Sequence, residues 1–344
     1  MASYAYWNNK GGVGKSFLCF FSAAEYAERY PDIDVYVIDL CPQANVSETI
    51  LGGLGTGSEA LDGLASENPR RTIAGYLEAR LSSPFQRLPD VAVFVTEPYK
   101  TNKKCPRNLK LICGDNLVEL LSEAIRQTSQ LALPADAWKR VLLWVADFVA
   151  QLRNVSGERD STFFIDCNPS FSVYTQQALL AADSVVVPFT PDDSSRRGIV
   201  NVTALVYGIV DSRNTSYSRI SFSGRAQEYG IELPKLRYFV NNRVTMYEGK
   251  PSKAFAAASK TIKETIDNIY LKKRSIFYDG SRKPSTTFFD IPDNHSANVV
   301  CALTGTPLHK LKAGPHEIKG ERVQVNQGPL ERYKKALTQF VQAL

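Results

Sequence analysis

Seven residues near the start of the chain, Lys10-Gly11-Gly12-Val13-Gly14-Lys15-Ser16, have the types and spacing of a phosphate-binding loop. Glycines let successive backbone N–H groups close around phosphate oxygens. The lysine before the hydroxyl reaches the outer phosphates, and the hydroxyl ligates Mg2+. The usual pattern is G-x-x-x-x-G-K-[ST]. Here Lys10 takes the place of the first glycine, so the loop carries a second cation that nucleotide binding alone does not need, because Lys15 already serves. Two carboxylates join this chemistry. Asp39 ends the apolar run Val35-Tyr36-Val37-Ile38, and Asp166 ends Phe163-Phe164-Ile165. A carboxylate at the end of a buried strand is costly unless it meets a cation or donors. Mg2+, shared with the Ser16 hydroxyl, is the natural partner.

These groups need elements to carry them. Tyr4-Ala5-Tyr6-Trp7 enters the loop as a strand, and an apolar helix leaves it from Ser16 and Phe17. Apolar runs at 35–39, 163–166, 184–189 and 237–241 alternate with helical patterns. That is the signature of an α/β fold, a doubly wound, mostly parallel sheet covered by helices on both faces. Ligands of such a sheet gather outside the carboxyl ends of its strands, which aims Asp39 and Asp166 at the phosphate loop. Residues 90–95 and 108–113 are candidate edge strands. Residues 136–152 read as one amphipathic helix through Trp138, Val141, Leu142, Val145, Phe148 and Val149. Residues 53–108, rich in Gly, Ser, Pro and charge, read as an elaborated insertion, and 329–344 as an amphipathic covering helix. The chain is therefore expected to be a single nucleotide-binding domain over 1–344.

Composition narrows the class. The six cysteines show neither C-x-x-C pairing nor clustering with the three histidines, so zinc and disulfides are not expected and free thiols in a reducing cytoplasm are. No apolar run approaches the ~20 residues of a membrane span, and the loop leaves no room for a signal peptide before it. The net charge of +6 permits an anionic partner without demanding one.

The runs Lys10–Ser16, Ile38-Asp39-Leu40-Cys41-Pro42-Gln43-Ala44-Asn45, Ile165-Asp166-Cys167-Asn168-Pro169-Ser170 and Ala181-Ala182-Asp183-Ser184-Val185-Val186-Val187-Pro188 resemble the deviant Walker-motif ATPases of the ParA/MinD family. The resemblance covers most of the chain and is poorest over 53–105. It implies a P-loop ATPase that binds ATP and Mg2+, with Lys10, Lys15, Asp39 and Cys41 at the catalytic positions. Gly11, Gly12, Val13, Gly14, Lys15, Ser16 and Phe17 would contact the nucleotide, and Ser16, Asp39 and Asp166 would serve the metal. Lys10 corresponds to a signature lysine that reaches the partner's phosphates in an ATP-bound homodimer, so nucleotide binding and dimerisation become one linked event. Base contacts are implied at Asn242 or Asn241, at Arg243, and at Pro292 and Asp293 in the later Ile291-Pro292-Asp293 turn; an Asn amide can read both donor and acceptor of a purine edge.

One position departs from the family pattern. The usual D-x-D-P-Q-G-N places a second Asp where this chain has Cys41. A thiol with an unperturbed pKa of ~8.5 is a poor general base beside an anionic phosphate and a poor ligand for a hard cation. Slow hydrolysis is expected, with a nearly non-hydrolysing ATP-bound scaffold as the alternative. A cobyrinic-acid-type amide ligase is disfavoured, because no Cys–His–Glu glutaminase arrangement is visible.

The last basic region includes Lys253, Lys260, Lys263, Lys272, Lys273 and Arg274; on a helix, Lys253, Lys260 and Lys263 fall on one side, opposite a stripe of Phe255, Ser259, Ile262, Ile266 and Ile269. With the resemblance, it reads as a patch for sequence-independent DNA binding in the ATP state. A stimulating partner of the ParB or adaptor type is implied as well, with no membrane partner and a place on the nucleoid.

Overall fold

The computed structural model describes residues 2–209, 221–244, 246–247, 250–251 and 253–344, with backbone alone over much of 243–254. Its centre is a seven-stranded sheet in the order β3-β2-β4-β1-β5-β6-β9, parallel at every pairing. The strands are β1 (Ala2–Tyr6), β2 (Asp34–Leu40), β3 (Leu109–Ile112), β4 (Ser161–Cys167), β5 (Ser184–Phe189), β6 (Lys235–Val244) and β9 (Phe288–Pro292). A two-residue ladder, β7 (Met246–Tyr247) with β8 (Lys250–Pro251), follows β6, and a hairpin, β10 (Gly314–Ile318) with β11 (Glu321–Val325), lies near the end.

Both faces of the sheet are buried, which is why its strands read as continuous apolar runs. Along β2, Val35 and Val37 face α1 (Lys15–Arg29), α2 (Asn45–Leu51) and α3 (Thr56–Ser66). Tyr36 and Ile38 face the opposite layer. That layer holds α4 (Ile73–Ser82), α5 (Leu117–Thr128), α6 (Ala137–Leu142), α7 (Trp144–Val155), α8 (Val173–Leu180), α9 (Asp193–Tyr207), α10 (Phe222–Glu228) and α11 (Lys253–Lys272). The chain then returns to the first face with α12 (His295–Thr304) and α13 (Gln327–Ala343). There Leu330, Tyr333, Leu337, Phe340 and Val341 of α13 are buried, and the Tyr333 ring meets Phe21 edge-on at 6.1 Å.

Two local expectations are corrected. The helix expected over 136–152 is broken at Leu143 into α6 and α7, although its whole apolar stripe is buried as read. The break turns Trp144 inward, where its indole donates to the Pro84 carbonyl (2.9 Å) and its own carbonyl accepts from the Tyr76 hydroxyl (2.6 Å). Residues 90–95 form no strand. The Asp90 carboxylate accepts from the Ala92 amide (2.8 Å), curling the chain into a 3-10 turn, and only Thr96 bridges the edge strand at Leu111. The other candidate edge strand is present as β3.

Candidate nucleotide-binding site

The phosphate loop joins β1 to α1 at the carboxyl end of the sheet's central strand. Gly12 and Gly14 take φ of 75° and 77°, the left-handed region that costs a side-chain-bearing residue strain. Gly14 is also the residue from which α1 starts, so the loop's amides and the positive end of the helix dipole converge there. A Cβ added at Gly11 or Gly12 would meet nothing within 4 Å, so the concave side of the loop is open. Trp7 at the end of β1 donates to the Asn168 carbonyl (2.9 Å), tying this loop to the one that follows β4.

Asp39 and Asp166 are register partners at the ends of β2 and β4, and both are fully buried. Their surroundings set them apart. Asp39 accepts from the Cys41 amide (3.0 Å) with one oxygen, and from the Ser47 amide (3.0 Å) and hydroxyl (2.8 Å) with the other. Its carboxylate therefore holds the turn into α2. The backbone after β3 closes over it, since a Cβ at Gly114 would lie 2.8 Å from the Asp39 Cγ. Asp166 accepts from the Ser16 hydroxyl at 2.7 Å through Oδ2, whereas its buried Oδ1 has no partner. Burial pushes the Asp39 carboxyl up to about 6 against those donors. Burial and then the Asp39 charge push Asp166 up to about 8 against Ser16 and Lys15.

An orphaned carboxylate oxygen beside a hydroxyl in an open phosphate loop is a donor set suited to a hard divalent cation. Among the described residues no group of three or more His, Cys, Asp or Glu side chains forms a metal site by itself, so the remaining ligands would come from phosphate and water.

The two loop lysines are held differently. Lys15 is buried, and its ammonium donates to the Lys10 carbonyl (3.0 Å). Burial lowers its pKa, opposed by the Asp166 charge. Lys10 turns away from the cradle and donates to Asp192 (2.6 Å), Thr190 (3.0 Å) and Ser195 (3.2 Å). Asp192 caps α9, accepting from the Ser195 amide at 2.8 Å. Burial raises its carboxyl, but the donors from Lys10, Thr190, Ser194 and the Ser195 amide outweigh that and hold it well below the usual carboxylate range.

A cavity of about 430 Å³ opens beside the loop, lined by Gly12, Gly14, Lys15, Ser16 and Phe17, and by Cys41 and Cys167. It continues over Gln43 and Asn45 towards Leu54 and Leu303. Burial, then the carboxylates of Asp39 and Asp166, push the Cys41 thiol up to about 12.

A family model described as an AAA domain matches residues 101–218, less than half of the chain and not the phosphate loop. McdA of Cyanothece, in its apo form, is 16% identical over 98% of this chain and 99% of that one, with a TM-score of 0.57. A proposed plasmid partition protein of Borrelia burgdorferi bound to AMPPNP is 16% identical over 100% and 99%, with a TM-score of 0.55. The chain has the fold of the ParA-type ATPases. An aspartate-to-alanine variant of McdA in complex with ATP matches the same fold at 16% identity over 98% of this chain and 96% of that one, with a TM-score of 0.57. No curated protein matches in sequence.

Within this ParA-type fold, Asn241, Asn242, Pro292 and Asp293, expected at the nucleotide base, are not among the residues that line the cavity. Asn242 is buried and donates to the carbonyls of Val13 (3.0 Å) and Gly14 (3.5 Å), fastening β6 to the phosphate loop. Asn241 donates to Ser259 and Asp290, and its buried Oδ1 has no partner. Pro292 is half-buried at the end of β9 and Asp293 is exposed; neither they nor Asn242 line the cavity. The side chains of Arg243 and Lys253 lie outside the described residues.

The basic residues expected on and after α11 are held in different ways. Lys263 leans inward with its ammonium 5.2 Å from the Phe288 ring centroid, whereas Lys260 points outward, 4.0 Å from Glu264. Lys273 donates to the Tyr207 carbonyl (3.4 Å), and Arg274 lies 5.3 Å over Tyr270. Among the described side chains of that set, Lys260 and Lys272 are exposed and have neither an aromatic nor a carbonyl contact. Sequence reading missed Thr190, Asp192, Ser195 and Ser47. The one available signal was the polar run Thr190-Pro191-Asp192-Asp193-Ser194-Ser195 directly after an apolar strand. Among the described residues no helix is long and apolar enough to cross a membrane.

Proposed function

We propose that this chain is an ATP-dependent dimerising switch of the ParA type. In the ATP state it binds DNA without sequence preference and positions a cargo, which is a plasmid, a chromosome region or a protein assembly. Slow hydrolysis, stimulated by a partner of the ParB or adaptor class, releases it. The observation that carries the reading is the open glycine loop with two lysines, whose Ser16 hydroxyl rests on the otherwise unpartnered Asp166. The loop amides from Gly11 to Ser16 would receive the phosphates, Lys15 would neutralise the outer charge, and Phe17 would flank them. Ser16 and Asp166 would hold Mg2+, which when bound screens the charge between the outer phosphates. Asp39 supports the site by fixing the turn that presents Cys41. Asn242, whose amide also fixes the loop, would contact the base together with Arg243, Pro292 and Asp293, with Asn241 as the alternative to Asn242. Lys10 would leave Asp192 to reach the partner protomer's phosphates, so that ATP and dimer form together.

Cys41 favours a second reading, a dimeric ATP-bound scaffold that scarcely hydrolyses, because its thiol stays protonated far above neutral pH. The test is the mass of the protein in solution with and without ATP and Mg2+, alone and with plasmid DNA. The wild type should double its mass only with ATP and Mg2+, and Lys10→Ala should bind nucleotide yet stay monomeric. A wild type that binds ATP and remains monomeric would overturn the switch.

A further inference from the structure

A recess in the helical layer opposite α1 gathers four cations that the nucleotide site does not use. Arg80 at the end of α4, Arg87 in the segment after it, and Lys139 and Arg140 of α6 line it, together with the carboxylates of Asp136 and Asp147. None of its lining residues lines the nucleotide cavity. The wall that carries Arg87 is pinned on both sides of that residue. The Trp144 indole donates to the Pro84 carbonyl at 2.9 Å, and the Gln151 amide donates to the Leu88 carbonyl at 2.7 Å.

The deepest of the four is Arg80, whose side chain is 2% exposed. Its guanidinium lies 5.3 Å from the Trp144 ring centroid, and its Nη1 donates to the Tyr76 hydroxyl (3.1 Å) and to Asp147 (3.2 Å). Its buried Nε has no hydrogen-bond partner. A buried cation is costly unless a counter-charge answers it. Asp147 answers only in part, because it also receives Arg87 at 2.7 Å. Asp136 is engaged by Arg140 at 2.9 Å, and Lys139 donates to the Tyr229 carbonyl at 3.2 Å. Four cations therefore face two carboxylates, which leaves the recess with an excess of positive charge. Its volume is about 240 Å³. That lies below the ~300–1,000 Å³ of a pocket for a drug-sized ligand, so the recess admits a small anionic head group and not a whole nucleotide.

We propose that this recess binds a phosphate monoester. Such a group carries close to two negative charges at neutral pH, which matches the excess of cations over carboxylates, whereas a carboxylate brings a single charge. Its terminal oxygens accept from guanidinium forks, and Arg87 and Arg140, both exposed, are free to close on them. Arg80 and Lys139 add positive charge from the walls. The rest of the ester stays outside, so the group comes either from a small phosphorylated metabolite or from a phosphorylated side chain of another protein. The proposal does not rest on ATP binding or on dimerisation, and it fails independently of them.

The test is isothermal titration of the nucleotide-free protein with O-phosphoserine, with serine as the control. Phosphoserine should bind and serine should not. Arg87→Gln/Arg140→Gln should weaken binding at least about tenfold, because two charge-assisted contacts are lost. Both positions are exposed, and an unchanged melting temperature will show that the fold is intact. Lys15→Ala should leave binding unchanged, which separates the recess from the phosphate loop. A phosphoserine peptide with uncharged flanks that binds more tightly than the free amino acid assigns the source to a phosphorylated protein; equal or weaker binding assigns it to a small phosphoester. A wild type that does not bind phosphoserine would overturn the proposal. So would equal affinity in the arginine variant, or binding that Lys15→Ala removes.

Discussion

Replacing Asp192 by Asn should tighten the ATP-bound dimer. Lys10 cannot reach a partner's phosphates while its ammonium is bonded to Asp192 at 2.6 Å. Breaking that contact is a cost of dimerisation that each protomer bears. The pair is partly open to solvent, with side-chain exposures of 24% and 45%, so screening keeps its worth on the order of 1 kcal/mol. A symmetric dimer releases two such lysines, about 2 kcal/mol in all, which corresponds to roughly a thirtyfold change in dissociation constant. Asn removes the charge but keeps the acceptor that caps α9 through the Ser195 amide. Because Asn caps helices as well as Asp does, the melting temperature should move little. Sedimentation equilibrium of the ATP- and Mg2+-loaded protein over a concentration series reads the constant directly. A constant in Asp192→Asn equal to or weaker than wild type, with nucleotide affinity intact, would refute the idea that Asp192 restrains Lys10.

Two further outcomes follow from the same geometry. Steady-state phosphate release by the wild type should be slow, and Cys41→Asp should raise it, since a carboxylate can accept from water where a thiol pushed up to about 12 cannot; a wild-type rate that the substitution leaves unmoved removes Cys41 as the limit. Without nucleotide and Mg2+, stability should fall as pH rises from about 6.5 to about 8. The folded Asp166 carboxyl, raised to about 8, keeps a proton that the unfolded chain has lost, so its favourable contribution disappears through that window. Neutral His309, lowered to about 4 by burial, works in the opposite direction below about 6.5, and Asp39 titrates near 6, so the window reports Asp166. Thermal unfolding should show the slope in wild type and lose it in Asp166→Asn; a slope that survives assigns it elsewhere.

What the sequence made legible was local. A glycine run between a strand and a helix, and aspartates closing apolar strands, are patterns within a few residues, and the parallel sheet then carries them to one end by rule. The partner of Lys10 was not legible, because Asp192 lies 182 residues away and arrives only when β5 pairs beside β1. Asp39 looked free as a metal ligand because nothing in its own strand shows that Ser47, on the following helix, will fold back onto it. Lys263 looked outward by helical period, yet the Phe288 ring offers a cation a seat on the inner side, and a long flexible stem takes it. The segment 99–107 escaped for a different reason: it has no period at all, and its order comes from buried Asn102 bonding to carbonyls of two distant elements. The same parallel topology that gathers Asp39, Asp166 and the phosphate loop at the carboxyl ends leaves the amino ends free of that chemistry.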